Sequence, residues 1–488
     1  MELTFVGVIQ LVIGSLIVLT GSVRSAMAFV MVSGLFDGSA AIFLPALGGS
    51  SIPPIQFAIL FVYLRILAPR GGFLGTLPEA IKANRLMLLY TVYGIAAAFI
   101  APRLFAGSMR VAPVRFEDSR GLFDTVPLGP TSQNITASVY LIGSLLIALA
   151  AYIVCRHRGG VQTLITTGIV VGWLHIALGI AVALAKGTPA ESFFEEFRNG
   201  NYAQLDQEYQ GFIRIRGLFP ESSTFADFGF AYFVLNAELW YRSVRPRATG
   251  PVAIALALVL FFSTSSTAYV GLFGYAMFVL LRALILPTIA EAGKLGSIAV
   301  GGFALAVVVA IVIAVQPQIG TSVLDMLEGM TVGKSNSSSA QQRLFWAMQG
   351  WEAFKTSYGL GIGPGSFKSS SMIMAMLGAT GAIGMALFIA YLLTVLQPTR
   401  TSTVARSPDL AWSIGGALAT AAVLALLPSA VASTKADPGP NFALFAGAAV
   451  ALRPTVRRKR DKMAGSSRYG PLPAPTAAPQ GAVSSSPP

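Results

Sequence analysis

The sequence predicts an all-α polytopic integral membrane helix bundle of about 12–13 spans, and three observations predict it. Hydrophobic residues make up 54% of the 488-residue chain and charged residues only 11%, against roughly 25% charged in soluble domains. The apolar residues fall in runs near the ~20 residues that cross a hydrocarbon core of ~30 Å. The basic residues fall in short clusters between those runs, as the positive-inside rule requires. That placement accounts for the formal charge of +13 without invoking nucleic acid.

In chain order the spans are read near 5–21, 25–47, 52–67, 84–105, 135–155, 162–185, 219–241, 250–264, 267–286, 295–315, 370–396, 410–428 and 440–453. The first resembles a signal peptide but lacks a basic n-region, so it is read as a retained helix. The second contains Gly34, Asp37 and Gly38 and can break there. Ser263-Thr264-Ser265-Ser266-Thr267 separates the eighth from the ninth and suits a tight hairpin.

Lysine and arginine assign the sides. Arg70, Lys82 and Arg85 mark one cytoplasmic loop, and Arg156 and Arg158 a second. Arg242, Arg245 and Arg247 mark a third, Arg282 and Lys294 a fourth, and Arg400 and Arg406 a fifth. The run Arg457-Arg458-Lys459-Arg460 is the strongest marker, and counting spans places all six clusters on one side. Three long loops, near 106–133, 186–218 and 316–369, then lie on the other side, where long loops are usually functional. Residues 1–453 form the membrane domain; 454–488 read as a disordered tail, basic and then rich in Pro, Ala and Ser.

Several chemistries are excluded. Cys155 is the only cysteine, so there is neither a disulfide framework nor a cysteine metal site. His157 and His175 lack acidic or cysteine companions in the sequence, and no metal site is assigned. Gly333-Lys334-Ser335 ends like a P-loop, but Glu328 stands where that motif needs its first glycine. The alternating Gly359, Gly361, Gly363 and Gly365 have no β–α–β surroundings for a dinucleotide. No cofactor is expected.

Two stretches carry candidate chemistry. In Arg214-Ile215-Arg216-Gly217-Leu218-Phe219-Pro220-Glu221, two arginines precede a helix start. Guanidinium forks beside a helix N-terminus suit a diphosphate; the alternative is interfacial anchoring, with Glu221 favouring the helix start. Glu221 and the deeper Asp227 lie six residues apart, so at most one can act as a base beside Arg216. Asp227 sits within an apolar run, where a carboxylate faces a cavity or a structural partner.

The second stretch, Ser337 to Trp346 and on through Trp351, reads as an amphipathic helix along the outer surface. Its tryptophans suit a headgroup belt or stacking on sugars. Arg343 runs against the positive-inside rule. Gly359 to Phe367 is a glycine-rich turn, either an anion nest or a re-entrant path. Ser369-Ser370-Ser371 is read as capping the next helix, and Gly378, Gly381 and Gly384 as packing residues. Little charge is expected within the membrane.

The order of these motifs resembles the O-antigen ligase and polysaccharide polymerase (Wzy-type) superfamily over about residues 210–395. It rests on the basic-Gly and Pro-Glu-Ser element at Arg216–Phe225, Ser263 to Gly271, Arg343…Trp346, Gly359 to Phe367, and Gly381-Ala-Ile-Gly384. The resemblance implies a GT-C-like, metal-independent glycosyltransferase of the bacterial inner membrane. Its donor would be a polyprenyl-diphosphate-linked oligosaccharide and its site would face the periplasm. By position Arg216 and Arg343 match the family's basic residues that contact the donor diphosphate, with Arg214 and Glu221 as weaker carry-overs; Glu221 or Asp227 is the carboxylate available as catalytic base, and Trp346 and Ser370 are the further substrate-binding candidates. Ligases of the superfamily place a histidine near the position that Ser370 holds here, so exopolysaccharide polymerases are the closer likeness. Membrane lipids, a flippase, a chain-length regulator and export proteins are the implied partners. An O-antigen ligase, whose acceptor is lipid A core, is the alternative enzyme. A lipid-linked oligosaccharide flippase is a third reading, which would call for intramembrane charge and internal repeats.

Overall fold

Helices account for nearly all regular structure, as the apolar runs require. The computed structural model describes residues 2–45, 50–68, 72–114, 121, 123–200, 208–209, 212–285, 291, 293–302, 307, 338–397, 406 and 409–452. Arg70, Arg400, Arg457 to Arg460, Gly333 to Ser335 and the tail lie outside them.

The helices are α1 (Phe5–Thr20), α2 (Val23–Ser33), α3 (Pro54–Leu67), α4 (Leu77–Ala83), α5 (Arg85–Leu104), α6 (Ser132–Arg156), α7 (Gly160–Ala185) and α8 (Ala190–Glu195). There follow α9 (Ser222–Tyr241), α10 (Pro246–Phe262), α11 (Ser266–Ile285), α12 (Ser338–Thr356), α13 (Met372–Leu396), α14 (Leu410–Leu424), α15 (Leu426–Ala432) and α16 (Pro440–Ala451). Among the described residues six helical stretches are long and apolar enough to cross a membrane, and five shorter apolar helices accompany them. The chain is membrane-embedded by that measure. Of the expected span at 295–315, residues 295–302 and 307 are described, and they are helical.

Local chemistry sets the helix ends. The Thr4 side chain accepts the Gly7 N–H to start α1, and Ser22 accepts the Ser25 N–H to start α2. Prolines stand in the first turn of α3, α10 and α16, where a missing N–H costs nothing. The expected span at 25–47 breaks as its glycines and aspartate suggest. Helix α2 stops at Ser33, Gly34–Phe36 form a 3₁₀ turn, and the chain turns into a strand at Ile42–Leu44. Strands β1 (Glu2–Leu3), β2 (Ile42–Leu44) and β3 (Ser50–Ile52) pair antiparallel, Leu3 facing Ile42 and Phe43 facing Ser51. Two-residue pairs β4 (Arg110–Val111) with β5 (Val126–Pro127), and β6 (Glu208–Tyr209) with β7 (Phe212–Ile213), decorate the loops.

The core runs between α2, α6, α9 and α16, filled by Met27, Met31, Phe230, Tyr232, Phe442 and Phe445. At Gly447 a Cβ would overlap the Ala148 carbonyl, so α6 and α16 approach to backbone contact as small residues allow. Basic residues gather at one end. Arg245 donates to Thr166 and Gln162 at 2.7 and 2.9 Å, Arg156 pairs with Glu79 at 3.8 Å, and Arg24 lies against Gly159.

Two of the expected surface markers are not at the surface. Arg242 and Arg282 are buried around Glu238, at 3.0 Å each, and Tyr275 donates to the same carboxylate at 3.2 Å. Arg282 also stacks on Tyr241, 3.8 Å from its ring centroid. The expectation of little internal charge therefore fails. Residues 44 positions apart on two helices meet in one ion cluster, which a count of charges along the chain does not reveal.

Candidate functional site

At the end of the bundle opposite the arginine cluster, the starts of α6, α9 and α13 converge with α12. The chain reaches α9 through a tight turn. Gly217 has φ +53°, a left-handed conformation that glycine adopts without penalty, and the Phe219 N–H returns to the Arg216 carbonyl at 3.0 Å. The turn docks on the end of α2, where the Gly38 N–H donates to the Leu218 carbonyl at 2.9 Å. Glu221 is the N-cap of α9 in a capping box with Thr224. Its carboxylate accepts from the third-position N–H and from the Ser223 hydroxyl. The helix terminus therefore already holds an anion, and a phosphate in this region must be met chiefly by side-chain cations.

Those cations are present. Burial pushes the Arg214 guanidinium below the ordinary arginine pKa, and the like charge of Arg343 pushes the same way. Glu221 and Tyr269 act in the opposite direction. Lys368 is likewise lowered by burial and partly restored by Glu221. From three segments far apart in sequence, Arg214 thus couples to Glu221 and to Arg343, and Lys368 couples to the same carboxylate. Cations held close and partly desolvated gain most from an incoming dianion.

Arg216 takes another place. It is buried at 8% exposure and donates Nη1 to the Pro220 carbonyl at 3.3 Å, bracing the turn before α9. Ser370 does not cap α13; Ser371 does, accepting the Met374 N–H at 3.5 Å. The Ser370 hydroxyl instead donates to the Arg343 carbonyl, tying α12 to the entry of α13 and so holding Arg343 in position. One face of Trp346 is covered by the Lys368 ammonium, 3.9 Å from the ring centroid. Trp351 stacks on Phe354 and is exposed, as a headgroup belt would have it.

The glycine-rich turn is a packing device. Its N–H groups are engaged within the protein: Gly361 with Ser357 Oγ at 2.8 Å, Ile362 with the Gly378 carbonyl at 2.9 Å, and Gly363 with the Ala379 carbonyl at 3.0 Å. Gly381 breaks α13 at φ +61°, and the Ala382 N–H donates to the Gly359 carbonyl at 2.8 Å. The turn fills the break, and those three N–H groups form no anion nest.

Asp227 belongs to a second group. Its Oδ1 accepts from Ser429 at 2.7 Å, and it feels the charge of Asp37. Asp37 in turn lies within reach of Lys435, and Lys435 within reach of Asp437 and Tyr140. Sequence reasoning passed over Lys368, Lys435 and Asp437. The signal for the last two was a Lys-x-Asp-Pro-Gly interruption between apolar runs, the second of them too short for a crossing. Lys368 stands one residue beyond the glycine-rich motif.

Comparison with protein-family models, with curated proteins and with solved structures returned no match.

Proposed function

We propose that the chain is a polysaccharide polymerase of the bacterial inner membrane, joining polyprenyl-diphosphate-linked oligosaccharide repeat units into exopolysaccharide. The electrostatic coupling of Arg214 to Glu221 and Arg343, and of Lys368 to Glu221, is the observation that carries this reading. It makes a cationic patch at the end of a helix bundle opposite the arginine-rich end. By the positive-inside rule that end faces the periplasm. The full count is then about 12–13 spans in a GT-C-like arrangement, with α12 lying along the membrane surface.

In this scheme the donor's diphosphate rests against Arg214 and Arg343, with Lys368 beside it. The acceptor hydroxyl oxygen attacks C1 of the donor sugar, forming the new glycosidic bond as the bond from C1 to the diphosphate oxygen breaks. The negative charge left on the diphosphate is stabilised by preorganised guanidinium groups, so the scheme requires no metal. The hydroxyl proton passes to a carboxylate. Glu221 is the one placed beside the cations; Asp227 is the alternative base. Arg216 braces the turn that presents Arg214, and Ser370 holds the backbone of Arg343.

An O-antigen ligase would use the same cationic patch with lipid A core as acceptor, and the carbohydrate product separates the two. The buried Glu238, Arg242 and Arg282 supply the intramembrane charge that a flippase needs. They are held in an ion cluster at 3.0 Å rather than lining a path, which keeps the enzyme reading ahead. The deciding experiment is transfer in vitro with a defined polyprenyl-diphosphate oligosaccharide and a chelator. Chain growth on lipid-linked repeats supports the polymerase; a donor left intact, or transfer only to lipid A core, refutes it.

A further inference from the structure

The path of residues 338–370 can be levelled against the two long helices beside it. On α13 the markers run downwards from the patch end. The Ser370 hydroxyl, just above the start of that helix, holds the Arg343 carbonyl. A Cβ at Gly350 would overlap the Met374 carbonyl, and the Ala382 N–H donates to the Gly359 carbonyl at 2.8 Å. Helix α12 and the first part of α13 therefore descend side by side. From Met372 to Gly381 is ~14 Å at 1.5 Å per residue. Helix α5 gives the level independently. The Tyr93 hydroxyl donates to the Leu360 carbonyl at 2.9 Å, and Tyr93 stands near the middle of that 20-residue helix, ~16 Å below Leu104. The next residues climb back. Gly363 packs on the Ala97 carbonyl, Nδ2 of Asn134 at the start of α6 donates to the Pro364 carbonyl at 2.8 Å, and the Lys368 N–H donates to the Ala112 carbonyl at 3.0 Å.

Two properties of the tip suit lipid. Backbone polar groups inside a bilayer must be paired within the protein, and the N–H groups of Gly361, Ile362 and Gly363 are all so paired. The outward face is apolar. Tyr358 is 90% exposed and Leu360 45%, level with the exposed Val92 of α5 and Ile383 of α13. The tip thus continues the lipid-facing surface of its neighbours. Polar groups keep to the upper part of the hairpin. Helix α13 has 25 residues, ~37 Å against a hydrocarbon core of ~30 Å, so its ends stand in the headgroup zones. Trp351 and the exposed pair Glu352–Lys355 follow directly on Gly350, near the upper end, where headgroups and water reach them.

We infer that residues 338–370 form a re-entrant hairpin. Helix α12 starts at the membrane surface and dips, the tip at Tyr358–Gly363 enters the hydrocarbon core and faces acyl chains, and residues 364–368 return to the surface. Only the first turns of α12 lie along that surface. The hairpin carries Arg343 on its way in and Lys368 on its way out, so lipid contact at the tip fixes the height of both cations. The depth of the tip does not rest on the polymerase reading.

The test is the depth of spin labels on the full chain in lipid nanodiscs, in a Cys155→Ser background. Labels go on Tyr358→Cys and Leu360→Cys at the tip and on Leu344→Cys at the entry. Val92→Cys is the mid-span reference, and Asp124→Cys, exposed in the loop between β4 and β5, the water reference. Power-saturation EPR reads the access of oxygen, which concentrates in the bilayer interior, and of a nickel chelate, which stays in water. The oxygen-to-nickel ratio at 358 and 360 is expected to match that at 92 and to exceed those at 344 and 124 several-fold. Equal ratios at 358, 360 and 344 would mean that the whole of α12 lies along the surface. Nickel access at the tip as high as at 124 would mean a water-filled cleft. Either result overturns the inference. Each labelled variant is first matched to the parental gel-filtration profile, and two tip positions keep the test decisive if one misfolds. Pyrophosphate binding with and without Arg343→Ala is measured separately, so a shallow tip leaves the donor patch standing, and a patch that fails leaves the hairpin.

Discussion

Replacing Glu238 by alanine should destabilise the protein more than breaking any surface ion pair, and burial sets the size of the effect. The Glu238 carboxylate accepts from Arg242 at 3.0 Å, from Arg282 at 3.0 and 3.1 Å, and from Tyr275 at 3.2 Å. The three charged side chains are 0–2% exposed. Removing one partner from a buried pair costs about 3–5 kcal/mol, because the remaining charge stays desolvated. Here two guanidinium groups are left behind, which puts the expectation at the upper end of that range. The pair Lys355–Glu352 is the control: it is as short, at 2.8 Å, but each side chain is 50% exposed. Solvent-exposed pairs contribute about 0–1 kcal/mol, so Glu352→Ala should be nearly silent. Both variants are compared with the parent by fluorescence-monitored heat denaturation in one detergent. A triple variant, Glu238→Leu with Arg242→Met and Arg282→Met, should recover most of the loss, since apolar packing replaces a buried ion cluster at little net cost. If Glu238→Ala and Glu352→Ala melted alike, the claim that burial governs these pairs would be wrong.

The remaining predictions concern the site. Arg343→Ala and Arg214→Ala should each weaken pyrophosphate binding by about ten- to a hundredfold, the range of a lost charge-assisted hydrogen bond of about 1.5–3 kcal/mol; unchanged affinity in both would remove the patch from the mechanism. Lys368 should make that binding weaken on raising the pH below 10.5, the ordinary lysine value, because burial lowers its pKa. The ligand-free protein should respond with the opposite sign. Between the lowered folded pKa and 10.5 the unfolded chain binds more protons, so this group's contribution to stability rises with pH there; a Lys368→Met variant should lose both effects. Gly381→Ala should lower the yield of folded protein, since its φ of +61° strains an L residue and a Cβ would overlap the Gly359 carbonyl; a parental melting curve would contradict the packing role of the glycine-rich turn. In a background lacking Cys155, a cysteine at position 343 should react with a membrane-impermeant maleimide added outside intact spheroplasts. Reaction only after lysis would place the patch in the cytosol and end the polymerase proposal.

Much of the fold was legible because membrane helices write themselves as uninterrupted apolar runs. Of the expected spans, those at 135–155, 162–185 and 370–396 differ from α6, α7 and α13 by at most three residues at either end. The break after Ser33 was foreshadowed by Gly34, Asp37 and Gly38, as a chain bearing a charge and two glycines leaves a helix readily. The candidate site was legible in part. Arg214, Glu221 and Arg343 stood out as charges beside apolar runs, but their grouping did not. Burial class is not legible in the sequence: Arg216 is buried and donates to the Pro220 carbonyl, while Arg242 and Arg282, which read as surface markers, sit in the core.

What the sequence determined alone is the class of solvent. With so few charges the chain cannot clothe itself for water, and its apolar runs must satisfy their own backbone hydrogen bonds as helices. What only the tertiary structure decided is which charges meet. Ion clusters at Glu238, at Glu221 and at Lys435 each draw on segments far apart along the chain. Electrostatic energy depends on distance and on the dielectric around the pair, and packing sets both.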